Sequence, residues 1–246
     1  MLSVIALGIA ACAKRPTDPY ALAEFEKLND PLEPLNRFTW RANIKVDNVT
    51  LRPISLGYRA ITPEPFRVGI RNAFDNISEP WSFVNNLLQG EFGRAGRNLG
   101  RVVVNTTVGI GGLFDPATDF GIAAADEDFG ETLAVWGVPS GPFLMLPLLG
   151  PSNVRDFNGF IVGAFADPVD LYLWLENVGT VNLALTGGQI LVRREQFLDE
   201  FDVLVKESQD AYAAARSAAR QNREFEIYNG NPPVNDENDP FADEDF

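Results

Sequence analysis

TLAVWGVPSGPFLMLPLLGPSNV, residues 132–154, is a stretch of the chain without a charged side chain, bounded by Glu131 and Arg155. It is long enough to match the apolar layer of a bilayer, which takes about 20 helical residues. However, four prolines and three glycines within it exclude a straight helix. Non-helical backbone at membrane depth is tolerated only where protein covers it or where it lines a wet cavity. Two interpretations stay open: an irregular segment of a membrane-embedded protein, or a looping core segment of a soluble domain.

The flanking segments extend the apolar character without supplying a membrane span. Residues 157–175 and 177–192 are rich in apolar side chains, but Asp167-Pro168, Asp170 and Glu176 interrupt them. This pattern predicts a helical body with a large apolar surface and no ordinary transmembrane helix.

Apolar residues at helical spacing predict an all-α fold. We expect a helix from Leu35 that ends before Pro53, a second along the stripe Phe66–Ile77, a separate short helix that begins at Pro80 and stops at Gly90, and a helix over 91–108. Two more are expected over 189–206 and 210–227. In the first of these two, the side chains expected to face inward are Leu191, Phe197, Leu198, Phe201 and Leu204.

Composition excludes several kinds of chemistry. The 246 residues include 20 basic and 34 acidic side chains, giving a net charge of −14, with no histidine and one cysteine. Imidazole-dependent hydrolases, His-containing zinc sites and Cys-rich clusters are therefore excluded, and we predict no catalytic residue, metal site or cofactor. A chain that is 46% apolar can bury a core. The broad basic surface that nucleic acid requires is missing.

More than half of the net charge belongs to residues 224–246, which contain eight carboxylates and no Lys or Arg. Such a segment cannot bury enough apolar surface to order itself, so we predict an acidic, disordered tail there and a folded domain over 12–223.

The N-terminal apolar run ends in Ile9-Ala10-Ala11-Cys12. The run is too short to span a bilayer and has the form of a secretory signal. Its end resembles the lipobox of bacterial lipoproteins, which predicts that residues 1–11 are a signal peptide and that Cys12 is acylated. An ordinary cleaved signal peptide with an incidental cysteine is the alternative.

Two groups of charged residues are candidate sites. Arg94, Arg97 and Arg101 form a basic stripe on one helix face, either solvated beside acidic partners or in contact with phospholipid headgroups. Asp126-Glu127-Asp128 with Glu131 could supply a carboxylate pair for glycoside hydrolysis, although a charged loop is the simpler interpretation. Gly109-Ile110-Gly111-Gly112 lacks the third glycine of a dinucleotide loop, since Phe114 occupies that position.

Motifs spread from Asp30 to Asp156 resemble the MlaA/VacJ family of outer-membrane lipoproteins. They include Asp30-Pro31-Leu32-Glu33-Pro34-Leu35-Asn36-Arg37, Asn72-Ala73-Phe74-Asp75-Asn76-Ile77, Val104-Asn105-Thr106-Thr107-Val108-Gly109-Ile110-Gly111-Gly112, Glu127-Asp128-Phe129-Gly130-Glu131-Thr132-Leu133, Trp136-Gly137-Val138 and Gly141-Pro142-Phe143. Their order along the chain makes the resemblance specific. Trp40, Ala42 and Asn43 depart from the aromatic-Asn-Phe-Asn run that is frequent in the family.

The resemblance implies a ring-like bundle of amphipathic helices around a central channel, lipid-anchored and embedded in the periplasm-facing leaflet of the outer membrane. It implies removal of misplaced phospholipid from the outer leaflet, delivery to a soluble periplasmic carrier, and association with a trimeric porin. By motif, residues 129–150 resemble the family's hairpin-like loop and residues 36–43 its channel-wall helix. The residues expected to affect lipid passage are Asn36, Arg37, Asn43, Gly137 and Gly141.

Two other classes of function remain open. One is a porin-associated scaffold that moves no lipid, and the other is a carboxylate-dependent envelope hydrolase.

Overall fold

The computed structural model describes residues 13–233. The predictions for the signal peptide and for Cys12 lie outside these residues, as does most of the predicted tail. The described chain forms helices joined mostly by short turns, together with one two-stranded antiparallel hairpin, so the prediction of a helical fold is confirmed.

The elements follow in chain order. They are α1 Pro19–Leu28, α2 Glu33–Val49, α3 Leu51–Ile61, α4 Glu64–Gln89, α5 Phe92–Thr107, α6 Pro116–Asp119, α7 Phe129–Val135, β1 Phe143–Leu146, β2 Gly150–Asn153, α8 Val154–Ala166, α9 Pro168–Leu175, α10 Gly179–Gln196, α11 Leu198–Glu207 and α12 Ala211–Ile227.

Helix α4 continues through Pro80, so the prediction of a separate helix starting there is wrong. A proline inside a helix removes one backbone hydrogen bond, which is unfavourable when the helix stands alone. Here tertiary contacts hold the turns after the proline, because Asn86 Nδ2 donates to the Ala125 carbonyl at 2.9 Å and the Thr132 hydroxyl donates to Asn85 Oδ1 at 2.9 Å. The end at Gly90 is as expected, with a positive φ of 81°.

The C-terminal helices differ from the sequence prediction in two respects. The predicted helix 189–206 is two helices that meet at Phe197, and the first begins as early as Gly179. Phe197, expected to face inward, is 55% exposed at that junction. Helix α12, Ala211–Ile227, agrees with the predicted helix over 210–227, and its last turn overlaps the first four residues of the predicted tail.

The described interior is mainly polar and the exterior is strongly apolar. On α5, Asn98 is fully buried, whereas Phe92 is 73% and Leu99 is 54% exposed. On α4, Glu79, Asn85 and other polar side chains are buried in the same way. Contiguous exposed apolar surface marks a binding or membrane-contact surface. In these helices the apolar faces point outwards, whereas in a soluble helical bundle they point inwards.

A small apolar core joins the uncharged central stretch to the two ends of the domain. Phe143 and Met145 of β1 pack with Trp40 of α2 and with Tyr212 and Ala215 of α12. Leu148 and Leu149, between the two strands, are exposed. The stretch thus contains both a core strand and an exposed apolar turn. Among residues 13–233, no helix has the length and apolar character needed to cross a membrane.

Candidate functional site

A cavity of about 710 Å³ lies beside the β-hairpin. Its boundaries are the end of α1, the C-terminal part of α7, the hairpin, the first turns of α8 and the C-terminal half of α12. Its volume is in the range of sites for small organic ligands. The uncharged central stretch therefore contributes part of the lining of this cavity.

The lining of the cavity combines two chemically different kinds of side chain. The hairpin side contributes Phe143, Leu146, Leu149 and Pro151, with Phe160 of α8 beside them. The lining also contains charged and polar side chains, mostly from α8 and α12, which are Asp128, Arg155, Asp156, Arg220, Asn222, Arg223, Glu224 and Glu226. A ligand that fits this lining has an apolar part and a charged part.

Two asparagines of α2 fix the position of the hairpin. Asn36 Nδ2 donates to the Phe143 carbonyl at 3.1 Å, and its Oδ1 accepts from the Met145 N–H at 2.9 Å. Two turns later, Asn43 makes the same kind of contact: its Nδ2 donates to the Leu146 carbonyl at 2.8 Å, and its Oδ1 accepts from the Leu148 N–H at 2.9 Å. Each side-chain amide therefore takes the place of a neighbouring strand along the edge of β1.

Neither asparagine is among the residues that line the cavity. The structure thus gives Asn36 and Asn43 a role in docking the hairpin, while an effect on lipid passage stays a prediction for both.

Gly137 and Gly141 occupy backbone conformations that suit glycine. Gly137 ends α7 with a φ of 85°, and the N–H of Val138 donates back to the Leu133 carbonyl at 2.9 Å. Gly141 has a φ of 68° and lines the cavity, and a Cβ there would lie 3.1 Å from Val154. Its carbonyl accepts from Asn29 Nδ2 at 2.7 Å. Both glycines shape the path from α7 into the hairpin.

Arg37 lies away from the cavity lining and connects α2 to α12. Its guanidinium donates to Glu33 at 2.7 Å and to Asp210 at 2.6 Å, and it stacks 4.5 Å from the centre of the Tyr212 ring. The hydrogen bond from Arg37 lowers the pKa of Asp210 to about 2. The described contacts of Arg37 are structural, and an effect on passage remains a prediction.

Arg223 lines the cavity and bonds to several carboxylates. It donates to Asp128 at 2.7 Å, Glu131 at 2.5 Å and Asp156 at 2.9 Å, and reaches Glu226 at 3.1 Å. Burial raises the pKa of Asp156, but the adjacent Arg223 and Arg155 outweigh burial and bring the pKa below its ordinary value. Burial raises the pKa of Glu131, and Glu127 and Asp128 raise it further.

The acidic segment that was a candidate for hydrolysis is not a solvated loop. Glu127 and Glu131 are buried, and each is bonded to an arginine: Glu127 to Arg94 at 2.6 Å and Glu131 to Arg223. The charged-loop interpretation is therefore wrong for these two residues. They are members of buried ion pairs.

The basic stripe of α5 faces largely inward. Arg101 is 5% exposed and binds Glu79 at 2.5 Å and Asp115 at 3.1 Å, so the solvated-face interpretation is wrong for this residue. Arg94 is half-buried against Glu127. The Nε of Arg97 is buried without a hydrogen-bond partner in the described chain. Acidic partners are thus present for Arg94 and Arg101, and contact with headgroups stays a prediction.

The sequence analysis missed most of the polar lining of the cavity. Arg220, Arg223 and Glu224 are on a helix whose alanine-rich first half suggested only packing, yet their spacing of three and four residues does place them on one face. Asn29 gave no comparable signal, because its position depends on the tertiary fold, and Asp156 stood out only as the end of the family motifs. Within residues 13–233, no cluster of three or more Asp, Glu, His or Cys side chains could bind a metal ion.

An apolar exterior, a polar interior and a cavity with apolar and charged lining are typical of proteins that contact a membrane and bind an amphipathic ligand. The chain belongs to the MlaA lipoprotein family, whose model matches residues 28–226.

Curated relatives and a solved structure agree with this family. The intermembrane phospholipid transport system lipoprotein MlaA of Haemophilus influenzae is 33% identical over 94% of this chain and 89% of its own length. The protein of the same name from Escherichia coli strain K12 is 33% identical over 93% of this chain and 89% of its own length. A solved structure from work on the structural basis for maintenance of bacterial outer membrane lipid asymmetry has a TM-score of 0.69 and 33% identity, covering 80% of this chain and 98% of its own.

Proposed function

We propose that this protein transports phospholipid between membranes, taking misplaced phospholipid from the outer leaflet of the outer membrane and passing it to a soluble periplasmic carrier. The observation that carries the proposal is the cavity whose lining combines apolar side chains of the hairpin with charged side chains of α8 and α12. A phospholipid has the same two parts, and moving it requires no bond to be broken. The relatives named as phospholipid transport lipoproteins support this assignment.

The proposed location is the periplasm-facing leaflet, with acylated Cys12 and the apolar exterior as two separate attachments. Each buried methylene of an acyl chain contributes about 0.8 kcal/mol, and stable anchoring normally takes more than one signal. We also propose that the helices enclose the route of the lipid as a ring, and that a trimeric porin contacts the apolar exterior. The predicted effects of Asn36, Arg37, Asn43, Gly137 and Gly141 on passage belong to the same proposal.

The central experiment measures outer-leaflet phospholipid by surface-accessible lipid labelling in a deletion strain complemented with variants. Leu149→Trp places an indole in the apolar part of the cavity lining, and Leu175→Trp places the same ring on the exposed surface of α9. We expect Leu149→Trp to raise surface phospholipid towards the deletion level at unchanged protein abundance, whereas Leu175→Trp behaves as the wild type. A deletion strain with a normal outer leaflet would instead favour a porin-associated scaffold.

A second experiment concerns attachment. Cys12→Ala should abolish labelling with radioactive palmitate and shift the protein out of the outer-membrane fraction. A variant that still carries label would overturn the assignment of Cys12 as the acylated residue.

A further inference from the structure

Two charged residues of the cavity wall have no ionic partner within the described chain. Arg223 pairs with Asp128, Asp156 and Glu226, and Arg155 pairs with Asp156. Arg220 and Glu224 also line the cavity but take part in none of these ion pairs. The Nη1 of Arg220 donates to the carbonyls of Lys27 and Leu28 at 3.0 and 2.6 Å, so its Nε and Nη2 stay free for an anion.

The spacing of this pair suits a ligand with two opposite charges. Arg220 and Glu224 are one turn apart on α12, and side chains in this relation have their Cβ atoms about 5–6 Å apart. In a phosphoethanolamine headgroup, a two-carbon linker joins the phosphate to the ammonium. The two charges of such a headgroup are therefore separated by a distance similar to that between neighbouring side chains on one helix face.

The balance of charge around the cavity favours a ligand that carries a cation. The lining contains Asp128, Asp156, Glu224 and Glu226 but only three arginines, so carboxylates are in excess. Arg223 is already shared among several carboxylates. An anionic headgroup is attracted by Arg220 alone and is repelled by the excess carboxylates. A zwitterionic headgroup has an ammonium group that can also pair with Glu224.

We propose that Arg220 and Glu224 form a headgroup subsite that selects zwitterionic, amine-bearing phospholipid over anionic phospholipid. Arg220 binds the phosphate through Nε and Nη2, and Glu224 accepts hydrogen bonds from the primary ammonium. A phosphoglycerol headgroup offers the same phosphate but only hydroxyl groups to Glu224. This inference rests on the proposed transport function and adds a preference to it.

The test uses the mature full-length lipoprotein in mixed micelles that contain equal amounts of dioleoyl phosphatidylethanolamine and dioleoyl phosphatidylglycerol. Native mass spectrometry counts each lipid bound to the protein. Exposed ion pairs contribute little to binding, so we expect wild-type protein to carry only roughly three to five times more phosphatidylethanolamine than phosphatidylglycerol. Glu224→Gln should bring the ratio to about one, and Glu224→Lys should invert it. Glu207→Gln, an exposed carboxylate outside the cavity, should change nothing.

Arg220 is tested by total lipid rather than by ratio. Arg220→Gln should lower the binding of both lipids, Arg220→Lys should restore part of it, and Arg41→Gln, an exposed arginine on α2, should match the wild type. Equal binding of the two lipids by the wild type, or an unchanged ratio in Glu224→Gln, would overturn the headgroup preference and leave transport intact. Wild-type protein that binds neither lipid would overturn both.

Discussion

At the scale of single residues, asparagine carries much of the specificity of this fold. Asn36 is 2% exposed and connects a helix to a strand through one donor and one acceptor of its amide. Its second hydrogen bond from Nδ2 goes to Asp30 at 2.7 Å. Hydrogen bonds are directional, so a buried amide with all these partners fixes the position of β1 along α2. Apolar packing is not directional and does not fix this position by itself.

Replacing Asn36 with Ala should destabilise the protein by about 2–3 kcal/mol, because buried backbone groups of the hairpin lose their partner. Thermal unfolding in detergent measures the change. Asn158→Ala is the matched control, since Asn158 is exposed and bonds only to a carbonyl of its own helix. Equal effects of the two substitutions would contradict a docking role for Asn36.

Arg223→Gln should weaken the dependence of stability on pH that Asp156 provides. In the wild type the pKa of Asp156 lies below its ordinary value of 3.8, so the stabilisation is present above about pH 4 and is lost as the pH falls. Without the Arg223 guanidinium, Arg155 alone opposes the effect of burial, so the pKa of Asp156 rises. The variant therefore loses more stability above about pH 4, where Asp156 is ionised, than below it.

Removing one partner of a buried ion pair costs about 3–5 kcal/mol, which we expect for Arg223→Gln near pH 7. Unfolding temperatures across the pH range, compared with those of Arg41→Gln, test the sign. A loss of stability that is the same at pH 4 and pH 8 would contradict the role assigned to Arg223.

Most of these residue-level contacts could not be predicted from the sequence. Family motifs identified Asn36 and Gly141 as residues of interest, but their partners lie more than a hundred residues away along the chain. A pattern of local periodicity contains no information about such pairs.

At the scale of elements, helix α5 shows why periodicity predicted the helix but not its orientation. Phe92, Leu99 and Val103 form a regular apolar face, which locates the helix correctly. In a soluble bundle this face would be buried, yet here all three side chains are more than half exposed. Hydrophobic spacing shows that a helix has an apolar face and a polar face. Which of the two faces points inward depends on whether water or lipid surrounds the protein.

Leu99→Lys should weaken membrane association because it places a charge on the apolar face of α5. A lysine at the centre of a membrane helix is disfavoured by about 2.5–3.5 kcal/mol, and a position nearer the interface by less. Flotation of unlipidated protein with phosphatidylcholine vesicles measures binding, with Gln221→Lys, which adds the same single positive charge at an exposed polar position, as the control. Unchanged flotation of Leu99→Lys would place this face outside the membrane.

The β-hairpin was the element that local patterns could least define. Prolines and glycines excluded a helix over the central stretch, but no turn signal marked strands at Phe143–Leu146 and Gly150–Asn153. Helix α4 gave the opposite error, because a proline signalled an end that side-chain contacts prevent. In both cases tertiary contacts outweighed local preference.

At the scale of the whole molecule, the distribution of polarity indicates how the protein meets its membrane. The exposed surface is apolar over many helices, and most arginines of the described chain are paired with carboxylates inside it. The attraction to a bilayer therefore comes from apolar burial rather than from charge.

Unlipidated protein should stay bound to vesicles in 1 M NaCl, where the Debye length is about 3 Å and attraction between exposed charges is screened. Co-sedimentation with phosphatidylcholine vesicles at low and high salt measures this. Release by salt would show that headgroup charge, and not the apolar surface, drives the association.

Several ion pairs join residues that are far apart along the chain. Asp30 pairs with Arg216 across 186 residues, and Arg52 and Arg59 find their partners 150 and 136 residues later. A long loop must close before the residues at its two ends can make contact, and closing it costs conformational entropy. This makes folding slow and dependent on the C-terminal segment. Until α12 has been synthesised, Asp30, Asp128 and Asp156 have no arginine from that helix to bind. A chain that ends before α12 therefore lacks the arginines that connect its first helices and its centre to its last helix.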